Sequence, residues 1–499
     1  MIEYNFSGEW DSYNRLLRKY QLSGLLTEIG KLSNDIFFDS EKGHCRGVLH
    51  KKIHNVDAIK KTKRQDDVIL TAWNLIDIAY YAIISSNDFR GKQIESENEL
   101  YVLATVGNSF MQKKENDLLK IVGDGYKFFH YLWGFAGEQF KIQTPGRVFD
   151  NAGRELYMLF EIAPRINSID IASVIYKEVG ISWEVLCKSL FFAWFGFSKE
   201  SNLDNLKKTI KWNDSFTEDM FNRVLERYSA TYSEVKSNPL KRQFLYTHPY
   251  IKTQQDGLIG INSYLNLFLY EHAILWTARD YYLRKDDTIL TSEFGRVFEE
   301  YFRELVCTYI DESDVSRISE ETTERADWNI RICGYDFLVE QKSTLAKLSI
   351  KQQNSDYQAM IDFSTKTLIK ALKQLETTEK ELKNGLSIKI ILLYDDFINS
   401  NLIDYVFGLP TCPVQNDGRY WLVNIETMER FLSLAKTDLT ACKNIIEEKL
   451  ELDSIGSKEG KSLEYLLDKH VGFYNEYLRG KKIYRYIKHI ENECRKMLS

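Results

Sequence analysis

Asp327, Glu340 and Lys342 are two carboxylates and an ammonium at a spacing that lets a pair of short strands set all three on one face. Two acids side by side hold a divalent cation through hard oxygen ligands. An amine beside them orients an attacking water and stabilises charge developing on a phosphate. The segment reads ERADWNIRICGYDFLVEQKST. Strands are expected over 325–332 and 336–344, joined at Gly334-Tyr335 by a two-residue II′ turn, whose first central position needs φ > 0. That register pairs Cys333 with Asp336, Ile332 with Phe337, Ile330 with Val339 and Trp328 with Gln341. It also faces Asn329 with Glu340 and Asp327 with Lys342. Strand alternation then separates an apolar side from a charged one. Opposed residues lie roughly 5 Å apart and diagonal ones roughly 7–8 Å, so Asp327 and Glu340 can share one cation with Lys342 beside them. Without a cation the two carboxylates repel. A sheet with one wet face gives the same alternation with no chemistry attached, so the neighbouring elements must decide.

Upstream, Ser292 is the expected cap of an amphipathic helix. Phe294, Val297, Phe298, Tyr301, Phe302, Leu305 and Tyr309 form its stripe, and Glu299 stands at the stripe's border. Downstream, Thr365 is the expected cap of a second helix. Leu368, Ile369, Leu372 and Leu375 make one face of it, Lys366, Lys370 and Lys373 the opposite face, and Asn384-Gly385 ends it. The run from Ile388 to Leu393 is continuously aliphatic apart from Lys389, as in a strand buried on both faces and reached by a helical crossover. With a short strand near 315–319, the order is α-β-β-β-α-β. A strand over 420–425 and a helix from Glu426 follow.

This order resembles the PD-(D/E)XK, or restriction-endonuclease-like, nuclease superfamily, and Asp327 with Glu340-Gln341-Lys342 matches its signature residue by residue. Ala326 stands where the name-giving proline would be, a common departure. The resemblance spans about residues 290–436 and implies a Mg²⁺-dependent nuclease, with Mn²⁺ as substitute. It assigns metal ligation to Asp327, Glu340 and the main-chain carbonyl of Gln341, and activation of water to Lys342. Glu299, after the aromatic Phe298 in GRVFEEYF, is the acid that completes the site, with Glu300 as a lesser substitute. The helix after the third strand flanks the cleft, so Lys366, Lys370, Lys373 and Gln374 are the nucleic-acid-binding candidates. Gln374 alternatively caps the core edge, and that structural reading is favoured.

The fold class expected is therefore α/β: a restriction-endonuclease-like core at 286–436, a mostly helical N-terminal region at 1–285 and a small helical C-terminal region at 437–499. The N-terminal region, with a hairpin near 243–262, is assigned regulation or substrate sensing. Helical runs are expected near 73–84, 118–140, 154–162, 186–195 and 264–283. A large helical region before such a core also resembles bacterial and mobile-element nucleases, many of them linked to antiviral defence.

The chain has 499 residues, 44% hydrophobic and 28% charged, enough for two or three domains. Its formal charge of −6 gives no global nucleic-acid signature, so affinity for phosphate must come from local patches. Besides the middle lysine stripe these are residues 60–64 (KKTKR) and the C-terminal Lys481, Arg485 and Lys488 beside Tyr484. Seven cysteines include no CxxC pair and suit reduced thiols. No signal pattern and no apolar run of about 20 residues appears, so a cytoplasmic location without a membrane is expected. His44, Cys45, His50 and His54 match no standard zinc spacing. There is no phosphate loop, dinucleotide fingerprint or serine elbow. DNA is the favoured substrate and RNA the other. A protein partner or self-association is left open, as are specificity and trigger. The rival class is a non-catalytic nucleic-acid-binding or scaffold protein that keeps the nuclease fold. The glycine-bearing stretch 453–461 is the expected linker.

Overall fold

The structure is a computed structural model that describes residues 7–37, 48–56, 63–94, 97–122, 148–318, 325–345, 350, 357–382, 387–394, 400, 402–454, 462–468 and 476–498. It is a mixed α/β chain, mostly helical. The helical first half includes Leu22–Phe37, Ala72–Ser85, Trp183–Phe197 and Ser263–Leu283. No single helix among the described residues is long and apolar enough to cross a membrane. Two long antiparallel strands, Val48–Val56 and Lys63–Thr71, interrupt it. Lys63 and Arg64 begin the second of these, while Lys60, Lys61, His44, Cys45 and most of the 453–461 linker lie outside the described residues. The hairpin near 243–262 is shorter than expected. Its arms are Tyr250–Lys252 and Leu258–Gly260, and 244–247 form a helical turn instead, Phe244–Thr247.

One five-stranded sheet carries the candidate residues. Its strands are β1 (Val315–Arg317), β2 (Trp328–Ile332), β3 (Tyr335–Lys342), β4 (Ile388–Leu393) and β5 (Tyr420–Asn424), in the spatial order β5-β4-β3-β2-β1. β1, β2 and β3 pair antiparallel, and β4 and β5 join parallel. Helix α1 (Ile289–Tyr309) precedes the sheet. Between β3 and β4 runs a continuous helix from Tyr357–Phe363 through a π turn, Ser364–Ile369, into α2 (Lys370–Leu382). Helix α3 (Ile425–Thr437) follows β5.

The β2–β3 turn differs from expectation. Cys333 and Gly334 are its two central residues, with φ of 51° and 84°. Positive φ at both positions is the I′ pattern, whose twist matches the flanking strands. Ile332 therefore pairs with Tyr335, Ile330 with Phe337 and Trp328 with Val339. The register is displaced by two residues from the expected one, and because side chains alternate with period two, every side chain keeps its face.

Helix starts also differ. Helix α1 begins a turn earlier than Ser292, whose hydroxyl bonds back to the Ile289 carbonyl at 3.0 Å. Thr365 lies inside the π turn rather than at a cap.

Both faces of the sheet are covered. Ile330, Phe337, Val339, Ile390 and Trp421 share one large core with α1, α3 and the N- and C-terminal helices. That core runs without a break across 285 and 436. Leu338, Ile391 and Leu393 pack on the other face against Leu368, Leu372 and Leu375. On the charged side of the hairpin the crossover helix covers β3, while Arg331 of β2 stays exposed.

Candidate active site

Glu340 is the last acid on β3 and follows Leu338 onto the face under α2. It is 2% exposed. Its Oε1 is held by the Lys342 ammonium, and its Oε2 is buried with no hydrogen-bond partner among the described residues. Burial first and the neighbouring Asp327 charge second push its carboxyl up to about 8, against the pull of Lys342 and Lys370.

Asp327 enters just ahead of β2. Extending the observed register by one residue sets it across from Glu340 rather than Lys342. Its N–H donates to the Val339 carbonyl at 3.0 Å, and its Oδ2 accepts the Gln341 N–H at 2.6 Å. Lys342's carbonyl accepts from Tyr394 N–H on the β4 side. Neighbouring residues on a strand point their backbone groups to opposite sides, so the Gln341 carbonyl, like its N–H, faces the side of Asp327.

Lys342 reaches across to α2, where Gln374 Oε1 accepts from its Nζ at 3.0 Å. Gln374 Nε2 donates in turn to the Arg325 carbonyl at 3.1 Å. Gln374 is 8% exposed, and both ends of its amide are engaged between Lys342 and the Arg325 carbonyl.

Helix α1 closes the remaining edge. The Phe298 carbonyl accepts from Gln341 Nε2 at 3.4 Å, and Tyr394 packs edge-on against Phe294 and Phe298 with ring centroids 4.8 and 5.5 Å away. Glu299 does not join the two acids as a third ligand. Its carboxylate is paired with Arg317, which β1 places beside Trp328. Glu300 is engaged by Arg303 at 2.7 Å. Among the described residues no group of three histidines, cysteines or acids is disposed to hold a metal ion. Among the described residues the acids facing one another at this site are Asp327 and Glu340.

The residues present nevertheless fit a divalent cation. A buried carboxylate oxygen without a partner, beside a second carboxylate that destabilises its charge, is an arrangement that a bound cation would satisfy. The oxygens on offer are hard and few, which suits Mg²⁺ with its retained waters.

Lys366, Lys370 and Lys373 are all exposed. The π turn between Lys366 and Lys370 breaks the α spacing on which the stripe was drawn. Lys366 lies 3.7 Å from Asp362, Lys370 acts on Glu340, and Lys373 acts on Cys412. The C-terminal run is spoken for: Lys481 lies over the Tyr477 ring at 3.9 Å and 3.3 Å from Glu304, and Lys488 pairs with Glu491 at 3.2 Å.

Sequence reading missed Thr378, which accepts the Ala326 N–H at 2.7 Å and is 1% exposed. Its signal was the i, i+4 spacing from Gln374, on the border between the lysine and aliphatic faces of the helix.

Comparison of the chain with protein-family models, with curated proteins and with solved structures finds no match.

Proposed function

We propose that this chain is a Mg²⁺-dependent nuclease of the restriction-endonuclease-like kind, hydrolysing phosphodiester bonds of nucleic acid, with DNA favoured over RNA. The observation that carries the reading is Glu340: a buried carboxylate with one oxygen on Lys342, the other without a partner among the described residues, and Asp327 opposite. The strand order and pairing, antiparallel β1 to β3 followed by parallel β4 after a helical crossover, support it. A service in antiphage defence or DNA processing follows from the resemblance alone.

Asp327, Glu340 and the Gln341 carbonyl would hold the ion, which when bound makes a coordinated water more acidic and draws charge from the phosphate. The chain's own residues set the rest. Gln341 N–H fixes the Asp327 carboxylate, and Gln374 fixes Lys342. Lys342 then offers its remaining N–H groups to the attacking water or to a phosphate oxygen as charge develops.

The test is cleavage of plasmid, single-stranded DNA and RNA in Mg²⁺, in EDTA, and in EDTA with Mg²⁺ restored. Metal-dependent cleavage that falls by about 10³ or more in Lys342→Met supports the reading. Metal-independent cleavage, or a wild-type rate in that variant, overturns it. Binding of nucleic acid with no cleavage of any substrate would favour a non-catalytic protein that keeps the fold.

A further inference from the structure

The Arg325–Ala326 peptide group is gripped at both ends by one helix. Gln374 Nε2 donates to its oxygen at 3.1 Å, and Thr378 Oγ1 accepts its N–H at 2.7 Å. Thr378 also donates to the Gln374 carbonyl at 2.8 Å, one turn back on α2. The next peptide is fixed as well, since Asp327 N–H donates to Val339 at 3.0 Å. Ala326 is 2% exposed, so its N–H has no access to bulk water as a substitute partner. With both peptide planes around Ala326 held, the backbone delivers Asp327 to one place beside Glu340.

We infer that Thr378 is a positioning residue of the site: through the Ala326 N–H it sets where Asp327 presents its carboxylate. This inference rests on the metal-binding reading above. A hydroxyl that merely fills the core would contribute to folding and leave the affinity for the ion unchanged. A hydroxyl that aims a ligand must alter that affinity, as groups behind metal ligands do by about ten- to a hundredfold.

The experiment follows thermal unfolding of the full chain, first in EDTA and then across a Mg²⁺ titration, for wild type, Thr378→Val and Thr378→Ser. Valine keeps the shape and removes the acceptor; serine keeps the acceptor. The Mg²⁺ concentration needed for a fixed melting-temperature increment over the same variant in EDTA, an increment that grows with the logarithm of 1 + [Mg²⁺]/Kd, is expected to rise about tenfold or more in the valine variant and to stay within about twofold in the serine variant. Cleavage by the valine variant should lose kcat while Ca²⁺-supported binding of DNA is retained. An unchanged Mg²⁺ requirement in the valine variant overturns the inference, as does a serine variant shifted equally. Should the valine chain not fold, Thr378→Ala is titrated against the same criterion. A wild-type chain with no Mg²⁺ increment overturns the metal reading and this inference together, whereas a wild-type increment that the valine variant reproduces at the same Mg²⁺ concentration overturns the Thr378 inference alone.

Discussion

Asp327 Oδ2 accepts the main-chain N–H of Gln341 at 2.6 Å, so the acid ahead of β2 is tied to the backbone between the acid and the lysine of β3. The bond holds Asp327 close to Glu340, although the two charges repel.

Asp327→Asn separates these effects. The amide oxygen still accepts the Gln341 N–H, and the repulsion of Glu340 is gone. The variant should melt in EDTA at or above the wild-type temperature, lose the Mg²⁺ increment and lose cleavage. A retained Mg²⁺ increment would remove Asp327 from the ligand set.

Glu340 gives the metal-free chain a pH dependence with a definite sign. Its folded-state pKa of about 8 lies above its ordinary 4.5, so between those values the folded chain binds more protons than the unfolded one. Stability must then fall as pH rises from about 4.5 to about 8 and level off beyond, by an amount on the order of a few kcal/mol. Glu340→Gln should remove that slope. Urea unfolding in EDTA from pH 5 to pH 8.5 measures both chains. Mg²⁺ binding near pH 7 should also release protons, seen as a buffer-dependent heat in calorimetry.

Lys370 is the lysine of α2 whose charge reaches Glu340, while Lys366 pairs with Asp362. If a phosphate backbone enters beside Glu340, Lys370→Gln should flatten the log–log salt slope of duplex DNA binding by about 0.9, and Lys366→Gln by clearly less. Binding is measured in Ca²⁺. Equal and negligible effects would assign Lys366 and Lys370 to solvation.

The helical first half is bound into the sheet's core by Arg154, whose guanidinium meets Glu429 of α3 at 2.5 and 2.7 Å, with Tyr301 of α1 donating to the same carboxylate at 2.5 Å. Arg154 and Glu429 are 4% and 0% exposed. Arg154→Met leaves Glu429 buried without its cation, a loss of about 3–5 kcal/mol by urea unfolding. By the same argument, a chain cut to residues 286–499 should fail to unfold cooperatively.

Much of the site was legible in the chain itself. The alternation through 325–344 fixes which side chains share a face, because face follows from a period of two and survives a shift of two in register. The aliphatic run from Ile388 to Leu393 announces a strand buried on both sides, and the structure buries all six of its residues. The turn was misplaced because the left-handed φ of Cys333 is unusual for a residue other than glycine; its Sγ, 3.6 Å from the Leu439 carbonyl, lies against a helix distant in sequence.

What only the tertiary structure decided is who meets whom across the sheet's faces. Periodicity marked Glu340 as charged and placed it opposite the apolar set, yet its burial depends on a crossover helix arriving over it. Glu299 sits on the expected helix, but the strand that carries Arg317 captures it. Gln374 stood out on its helix and Thr378 did not, yet it is packing that brings both to the Arg325–Ala326 peptide. Local pattern determines the face a side chain takes; the partner waiting there is set by segments far away in sequence, and the chemistry of a carboxylate is decided by that partner.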